Sequence, residues 1–220
     1  MVAASTSGVS PLDPDLSEEA ALQRGGFSRI AGVDEAGRGA WAGPLVAAAV
    51  ILPPPHEAPT DFLVGVRDSK QLTPARRDSL FDAVNAAARA VGIGAVSADE
   101  IDLLGLTAAN ELAMVRAVRD LAVMPDFVLV DCFTLKSLDM PQRGLVRGDQ
   151  RSLSIAAASI IAKVHRDRWL EQLAEAYPGY GFEQHRGYGA QVHQRALRER
   201  GPTPVHRLSY APLRALADPI

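Results

Sequence analysis

An α/β fold built on a mixed sheet is predicted by three observations. Short apolar segments alternate with stretches of helical periodicity along the chain. Two of the apolar segments adjoin across a glycine-rich turn, and the others are set apart by whole helices. Residues 26–180 are therefore expected to form one core, with a small helical extension over 181–220.

The elements follow in order. Residues 1–25 are rich in Ser, Pro, Gly and acids and are expected to form a disordered tail. "RIAGVDEA" (29–36) and "PLVAAAVIL" (44–52) read as two strands, with Gly37, Gly39 and Gly43 between them. After the "PPPHEAPTD" loop, Thr73 and Pro74 supply an N-cap and a first helical position for residues 74–91. "GIGAV" (92–96) is a third strand. Ser97 and Glu100 then make a capping box for a short helix over 98–105. Leu112, Val115 and Val118 share one face of a helix over 107–123. "FVLVD" (127–131) is a continuous β-branched run, hence a buried strand. Residues 132–151 read as irregular, before a long helix over 152–177. Two more helices are expected near 190–200 and 210–217.

Composition narrows the class of function. A chain of 220 residues, 47% hydrophobic and 22% charged, can bury a core without disulfides or structural metal. Cys132 is its one cysteine and is expected to be a small buried filler. No apolar run approaches a bilayer span and no secretory leader is legible, so a cytoplasmic protein without membrane association is expected. The net charge of −3 conceals an asymmetry. Residues 147–207 hold ten Lys/Arg against six Asp/Glu, a net of +4, while the remainder carries thirteen against twenty, or −7. A basic C-terminal third suits a polyanionic partner, and equally a solvated helix face.

Four acids fall at the ends of apolar or glycine-containing segments: Asp34, Glu35, Asp131 and Asp149. An unpaired charge at the end of the buried "FVLV" run costs several kcal/mol unless a partner or metal neutralises it. Such acids suit hard divalent cations, Mg²⁺ or Mn²⁺, and three or four can hold two ions about 3.5–4 Å apart for phosphoryl transfer. A helix cap or a surface charge is the plainer reading of any one of them. Neighbouring strand residues face opposite ways, so Asp34 and Glu35 are expected to share a site where the strand bends or breaks at the following glycines. In "GRGAWAG", Gly37, Arg38 and Gly39 read either as a hairpin turn or as a phosphate contact. In "RDSKQLT", either Asp68 and Ser69 cap or brace the next helix, or Ser69 and Lys70 meet phosphate. Ser159, Lys163 and Arg166 form one polar stripe on the Ala/Ile-rich helix, either solvated or facing a nucleic-acid backbone. Tyr188, between glycines, is either packed or exposed for stacking.

The segments "AGVDEAGRGAWAGPLVAAAVIL", "DSKQLT", "EIDLLGLTAANELAM", "VLVD", "GD" at 148–149, "SIAAASIIAKVHRDR", "YGFEQHRGYGA" and "HRLSYAP" occur in that order. They resemble the ribonuclease HII family from about Ala31 to Pro212. The resemblance implies a ribonuclease H-like mixed sheet flanked by helices, with the C-terminal extension contacting nucleic acid. It implies a metal-dependent endonuclease acting as a monomer on RNA–DNA hybrids and on duplex DNA carrying single ribonucleotides. Asp34, Glu35, Asp131 and Asp149 would be its catalytic, metal-binding quartet. Gly37, Arg38 and Gly39 would read the ribonucleotide 2′-OH and the junction phosphate, and Tyr188 would stack on the adjoining deoxyribose. Ser69, Lys70, Ser159, Lys163 and Arg166 would be further substrate contacts. The sequence departs from the family pattern at Ala40, where proline is usual, at Cys132, where glycine follows the third acid, and at Ala190, where threonine is common. Loss of that hydroxyl is expected to weaken a substrate contact. Two competing functions are another metal nuclease of the same class and a non-catalytic hybrid-binding module.

Overall fold

A computed structural model describes residues 13–54, 57 and 63–217. Five strands form one mixed sheet: β1 (Ile30–Ala36), β2 (Leu45–Ile51), β3 (Ala90–Val96), β4 (Phe127–Asp131) and β5 (Gln142–Leu145), in the order β3-β2-β1-β4-β5. The pairs β1–β2 and β2–β3 are antiparallel, whereas β1–β4 and β4–β5 are parallel. The helices are α1 (Ser17–Arg24), α2 (Pro74–Ala87), α3 (Ala98–Leu104), α4 (Leu106–Arg119), α5 (Leu153–Ala176), α6 (Phe182–His185), α7 (Gln191–Arg200) and α8 (Ala211–Ala217). The expected mixed α/β fold is borne out.

The interior strand β2 is buried along its whole length, because its two faces enter different cores. Leu45, Ala47, Ala49 and Ile51 pack under α4 with Ala113, Met114 and Val118. Ala48 and Val50 face the opposite core, with Ala157, Ile160 and Ile161 of α5 and Leu80, Phe81 and Val84 of α2. This explains the composition of α5. From Leu153 to Ala162 every residue is buried, and small side chains let the helix lie directly on the sheet. At Gly32 a Cβ would overlap the Ser154–Ile155 backbone, so only glycine admits that approach. Truncating Ile160 or Ile161 to Ala would leave a cavity costing about 2–5 kcal/mol.

Three segments differ from expectation. Residues 142–145, expected to be irregular, form β5; as a polar edge strand it has no apolar run to announce it. Within the expected tail, residues 1–12 lie outside the described residues, but Ser17–Arg24 form α1. Its Glu19 is 3% exposed and accepts hydrogen bonds from Ser152 Oγ (2.6 Å) and the Ser154 N–H (3.0 Å), at the start of α5. Glu18 pairs with Arg143 and Arg151, adding to the hold. The dependence on partners 125 or more residues away hides this helix from local reading. Cys132, expected to be buried, is exposed at φ 74°. That left-handed conformation turns the chain away after β4 and costs a residue with a Cβ about 1–2 kcal/mol.

The C-terminal segment has a small apolar cluster of its own, in which Phe182, Ala196, Leu197 and Leu213 pack with Ala42, Leu170 and Tyr180. Among the described residues no helix is long and apolar enough to cross a membrane.

Candidate active site

The carboxylates gather where β1 and β4 end. Val33 pairs with Val130, so the next residues of these parallel strands are Asp34 and Asp131. No break separates Asp34 from Glu35: β1 stays paired with β2 through Ala36, and the two side chains keep to opposite faces. The Ser159 hydroxyl of α5 lies against Asp34, and the buried Asn110 amide of α4 lies against Glu35, each favouring the charged carboxylate. Neither Asn110 amide atom attains normal hydrogen-bond geometry among the described residues. The expected bend falls instead at Gly37 (φ 91°). The two acids meet because both stand at the sheet's end, where each feels Asp131.

Asp149 joins them from the one-turn 3-10 helix Gly148–Gln150, whose Gly148 N–H donates to Asp131 Oδ1 at 2.7 Å. Asp68 is a fifth acid, read from sequence only as a brace. It accepts the Lys70 N–H at 3.0 Å and repels Asp149. Burial pushes the Asp34 carboxyl well above its ordinary range, and repulsion from Glu35 and Asp131 adds to it. Glu35 and Asp149 are raised as well, first by burial, then by neighbouring acids, with Arg38 opposing the shift at Glu35. Lys70 sits over the group. Partial burial works against its charge, but Asp34, Asp68, Asp149 and Glu35 outweigh that and raise its pKa.

This donor set fits divalent metal. It is all oxygen, as Mg²⁺ and Mn²⁺ prefer, and its mutual repulsion is what such ions relieve. Among the described residues no three His, Cys, Asp or Glu side chains yet enclose a single ion position. Asp34 Oδ1 accepts the Glu35 N–H and Asp131 Oδ1 the Gly148 N–H, both at 2.7 Å, bonds that orient the two carboxylates.

The Gly37–Arg38–Gly39 turn is held by an arginine that is not among the expected site residues. Arg207 is fully buried and donates to the carbonyls of Gly37 (2.7 Å), Arg38 (3.1 Å) and Gly43 (2.9 Å). Tyr210 Oη adds a bond to the Arg38 carbonyl at 2.6 Å. With those carbonyls tied down, the N–H groups of Arg38 and Gly39 have no acceptor among the described residues, and both residues are exposed. Ala40 preserves the turn, its N–H closing onto the Gly37 carbonyl at 3.2 Å, a bond proline cannot make.

Several expected substrate contacts lie elsewhere. Arg166 is fully buried, not exposed on a stripe: it donates to the carbonyls of Pro44, Ala42 and Arg186, and burial lowers its pKa to about 10. A Cβ on Gly37 would collide with it, so it is a strut between the glycine turn and the Tyr188 loop. The hydroxyls of Ser69 and Ser159 are buried and bonded to each other at 2.9 Å beneath Asp34. Lys163 pairs with Asp167 at 2.6 Å, although burial lowers its pKa. Lys70 remains exposed, and Tyr188 is 40% exposed beside Arg166. Ala190 is the N-cap of α7 and lacks a side chain to cap it.

A mixed sheet with acids at the ends of adjacent parallel strands defines a nuclease of the ribonuclease H-like class. The crystal structure of ribonuclease H2 from Pyrococcus horikoshii OT3 is similar to this chain, with a TM-score of 0.70 and 28% identity over 86% of this chain and 96% of that one. The Bst ribonuclease HIII structure in complex with Mn²⁺ has the same fold, at TM-score 0.67 and 23% identity over 86% of this chain and 69% of that one. The family model for ribonuclease HII matches residues 31–213. The ribonuclease HII of Chloroflexus aurantiacus is 50% identical over 200 residues, 91% of this chain and 94% of its own. The chain belongs to the ribonuclease HII family; it is a metal-dependent ribonuclease H, an endonuclease that cleaves the RNA of RNA–DNA hybrids.

Proposed function

We propose that this enzyme also cuts duplex DNA on the 5′ side of a single embedded ribonucleotide, leaving 3′-OH and 5′-phosphate ends, and that it serves ribonucleotide removal in the cytoplasm. The observation that carries the reading is the meeting of Asp34 and Asp131 at the ends of adjacent parallel strands, beside Glu35, Asp149 and the exposed Arg38–Gly39 turn. Asp34, Glu35, Asp131 and Asp149 would hold two divalent ions, Mg²⁺ or Mn²⁺. The Mn²⁺ complex of the similarly folded ribonuclease HIII is consistent with this. When bound, such ions activate water for in-line attack and stabilise the leaving oxygen.

The chain's own residues do the rest. The free N–H groups of Arg38 and Gly39 and the Arg38 guanidinium bind the 2′-OH and the junction phosphate, the 2′-OH being what separates RNA from DNA. Lys70, charged and held over the acids, binds a neighbouring phosphate. Tyr188 stacks on the deoxyribose beyond the ribonucleotide, which brings the 181–217 extension onto the nucleic acid. Ser69, Ser159, Lys163 and Arg166 hold these groups in place from within. Action as a monomer is part of the same proposal.

The test is cleavage of a duplex carrying one ribonucleotide, with Mg²⁺ and Mn²⁺ compared, beside an all-DNA control and a long hybrid. A single cut 5′ of the ribonucleotide is expected, and equal cutting of the all-DNA control would overturn the reading.

A further inference from the structure

Three histidines lie beneath the loop that carries Tyr188, and their hydrogen bonds assign their protons. The Thr203 N–H donates to Nδ1 of His206 at 2.9 Å, so His206 carries its proton on Nε2. That nitrogen is 3.0 Å from His193 Nε2, which must therefore accept. His193 thus carries its proton on Nδ1, 2.9 Å from the Tyr188 carbonyl, and donates to it. His185 stacks on His193, with centroids 4.5 Å apart and planes at 10°. It takes the Gly187 N–H on Nδ1 (3.2 Å) and gives Nε2–H to the Tyr180 carbonyl (2.8 Å). All six ring nitrogens are engaged, which leaves no lone pair for a metal.

The chain of bonds is directional and buried, with His193 0% and His206 2% exposed. It ends on the backbone of the one exposed aromatic in the loop. The Tyr188 N–H is held as well, by the His185 carbonyl at 2.9 Å. The N–H groups of Trp41 and Ala42, from the glycine turn's own strand connection, bind the Gly187 carbonyl at 2.8 and 3.2 Å. The Tyr188 carbonyl also accepts the Ala190 N–H at 2.8 Å, so Tyr188 is clamped at both peptide groups while its ring stays accessible. An apolar cluster would fill the same space but would not set the direction of that carbonyl, whereas a buried polar chain is costly in any other arrangement.

We propose that His193 and His206 are positioning residues for substrate recognition, a Thr203–His206–His193 relay that fixes the Tyr188 peptide so that the ring meets the substrate sugar in one orientation. The proposal rests on the reading of Tyr188 as the stacking residue.

Steady-state cleavage of the single-ribonucleotide duplex tests it, using Y188A, H193L, H193N and the Y188A/H193L double variant, each first shown to be folded by thermal melting. An Asn amide places a donor near the lost Nδ1–H, so H193N is the conservative variant. H193L is expected to raise KM about 10-fold with kcat changed by less than about twofold, the scale of one positioned hydrogen bond. H193N should recover most of that loss, and H193L should add nothing in the Y188A background. Equal effects of H193L with and without Tyr188, or a loss carried by kcat, would overturn the proposal. If H193L does not fold, H206N takes its place with the same expectations, since Asn keeps an acceptor for the Thr203 N–H but no donor at the Nε2 position. Ring ¹⁵N shifts at pH 7 give an independent reading: Nδ1–H on His193 and Nε2–H on His206 support the relay, and the opposite tautomers exclude it. A Y188A enzyme with unchanged KM would remove the stacking reading and the proposal with it. A KM raised by Y188A but untouched by H193L removes the proposal alone.

Discussion

Asp34 and Asp131 are neighbours at the same end of two parallel strands, because Val33 pairs with Val130 and each strand's next residue is an acid. Backbone pairing, rather than any attraction between them, brings these like charges together. The sheet must overcome their repulsion, and Asp34 is only 5% exposed. Such a site is a strain on the fold until cations bind.

Replacing Asp34 by Asn should therefore separate stability from activity. The amide keeps an oxygen for the Glu35 N–H but removes a buried charge. Cleavage is expected to fall by about 100-fold or more, since the proposed metal site loses a ligand. The melting temperature in EDTA should rise above that of the parent. Mg²⁺ or Mn²⁺ should raise the parent's melting temperature with concentration, and raise that of D34N less. A variant less stable than the parent in EDTA would show that the carboxylates are not in conflict.

Two departures from the family pattern have become tests of backbone chemistry. Cys132 at φ 74° should gain about 1 kcal/mol on replacement by Gly, which adopts that conformation freely. Ala190 caps α7 without a side-chain acceptor, so Ala190→Thr should gain about 0.5–2 kcal/mol. Urea unfolding measures both, and cleavage rates should change little. A change in KM for A190T without a stability gain would favour the expected substrate contact instead.

Glu19 decides whether α1 belongs to the fold. Its carboxylate bonds Ser152 and the Ser154 N–H at the start of α5. Glu19→Ala should cost about 1–3 kcal/mol in urea unfolding, because both donors lose their acceptor. Glu19→Gln should cost less, since burial already raises the pKa of Glu19 and disfavours its charge. No loss in either variant would mean that residues 13–25 behave as a tail.

Acid should loosen the Tyr188 loop. Burial lowers the pKa of His193 and of His206 from 6.5 to about 4, and mutual repulsion opposes charging both. Their folded pKa values lie below the unfolded ones, so the unfolded chain binds more protons between pH 6.5 and 4. Stability from this pair is complete above about pH 6.5 and is lost as pH falls towards 4. The scale is about 1.4 kcal/mol per pH unit for each proton taken up. His185, stacked on His193, opposes the charging of both, and the Tyr180 ring lies against His206. Thermal melts across that range should show the slope, and H193N should flatten it.

Much of the fold was legible because its signals are local. The β-branched run Phe127–Asp131, the Ser97–Glu100 capping box and the Thr73–Pro74 helix start depend on residues a few positions apart, and each lies where it was expected. The four acids at segment ends were legible for the same reason, since a charge closing a buried strand conflicts with its own surroundings. Their order along the chain, with the motifs around them, was enough to indicate the family.

Tertiary structure decided what depends on distant partners. Arg166 carries the charge and spacing of a surface contact and Arg207 the charge alone, yet both lie inside as struts, because carbonyls of Ala42, Pro44, Gly37 and Gly43 receive their donors. A sequence states which donors a side chain has, not which acceptors will reach it. The same holds for Asp34 and Glu35: one strand carries both on opposite faces, and only the alignment of β1 with β4 at the sheet's end makes them members of one site.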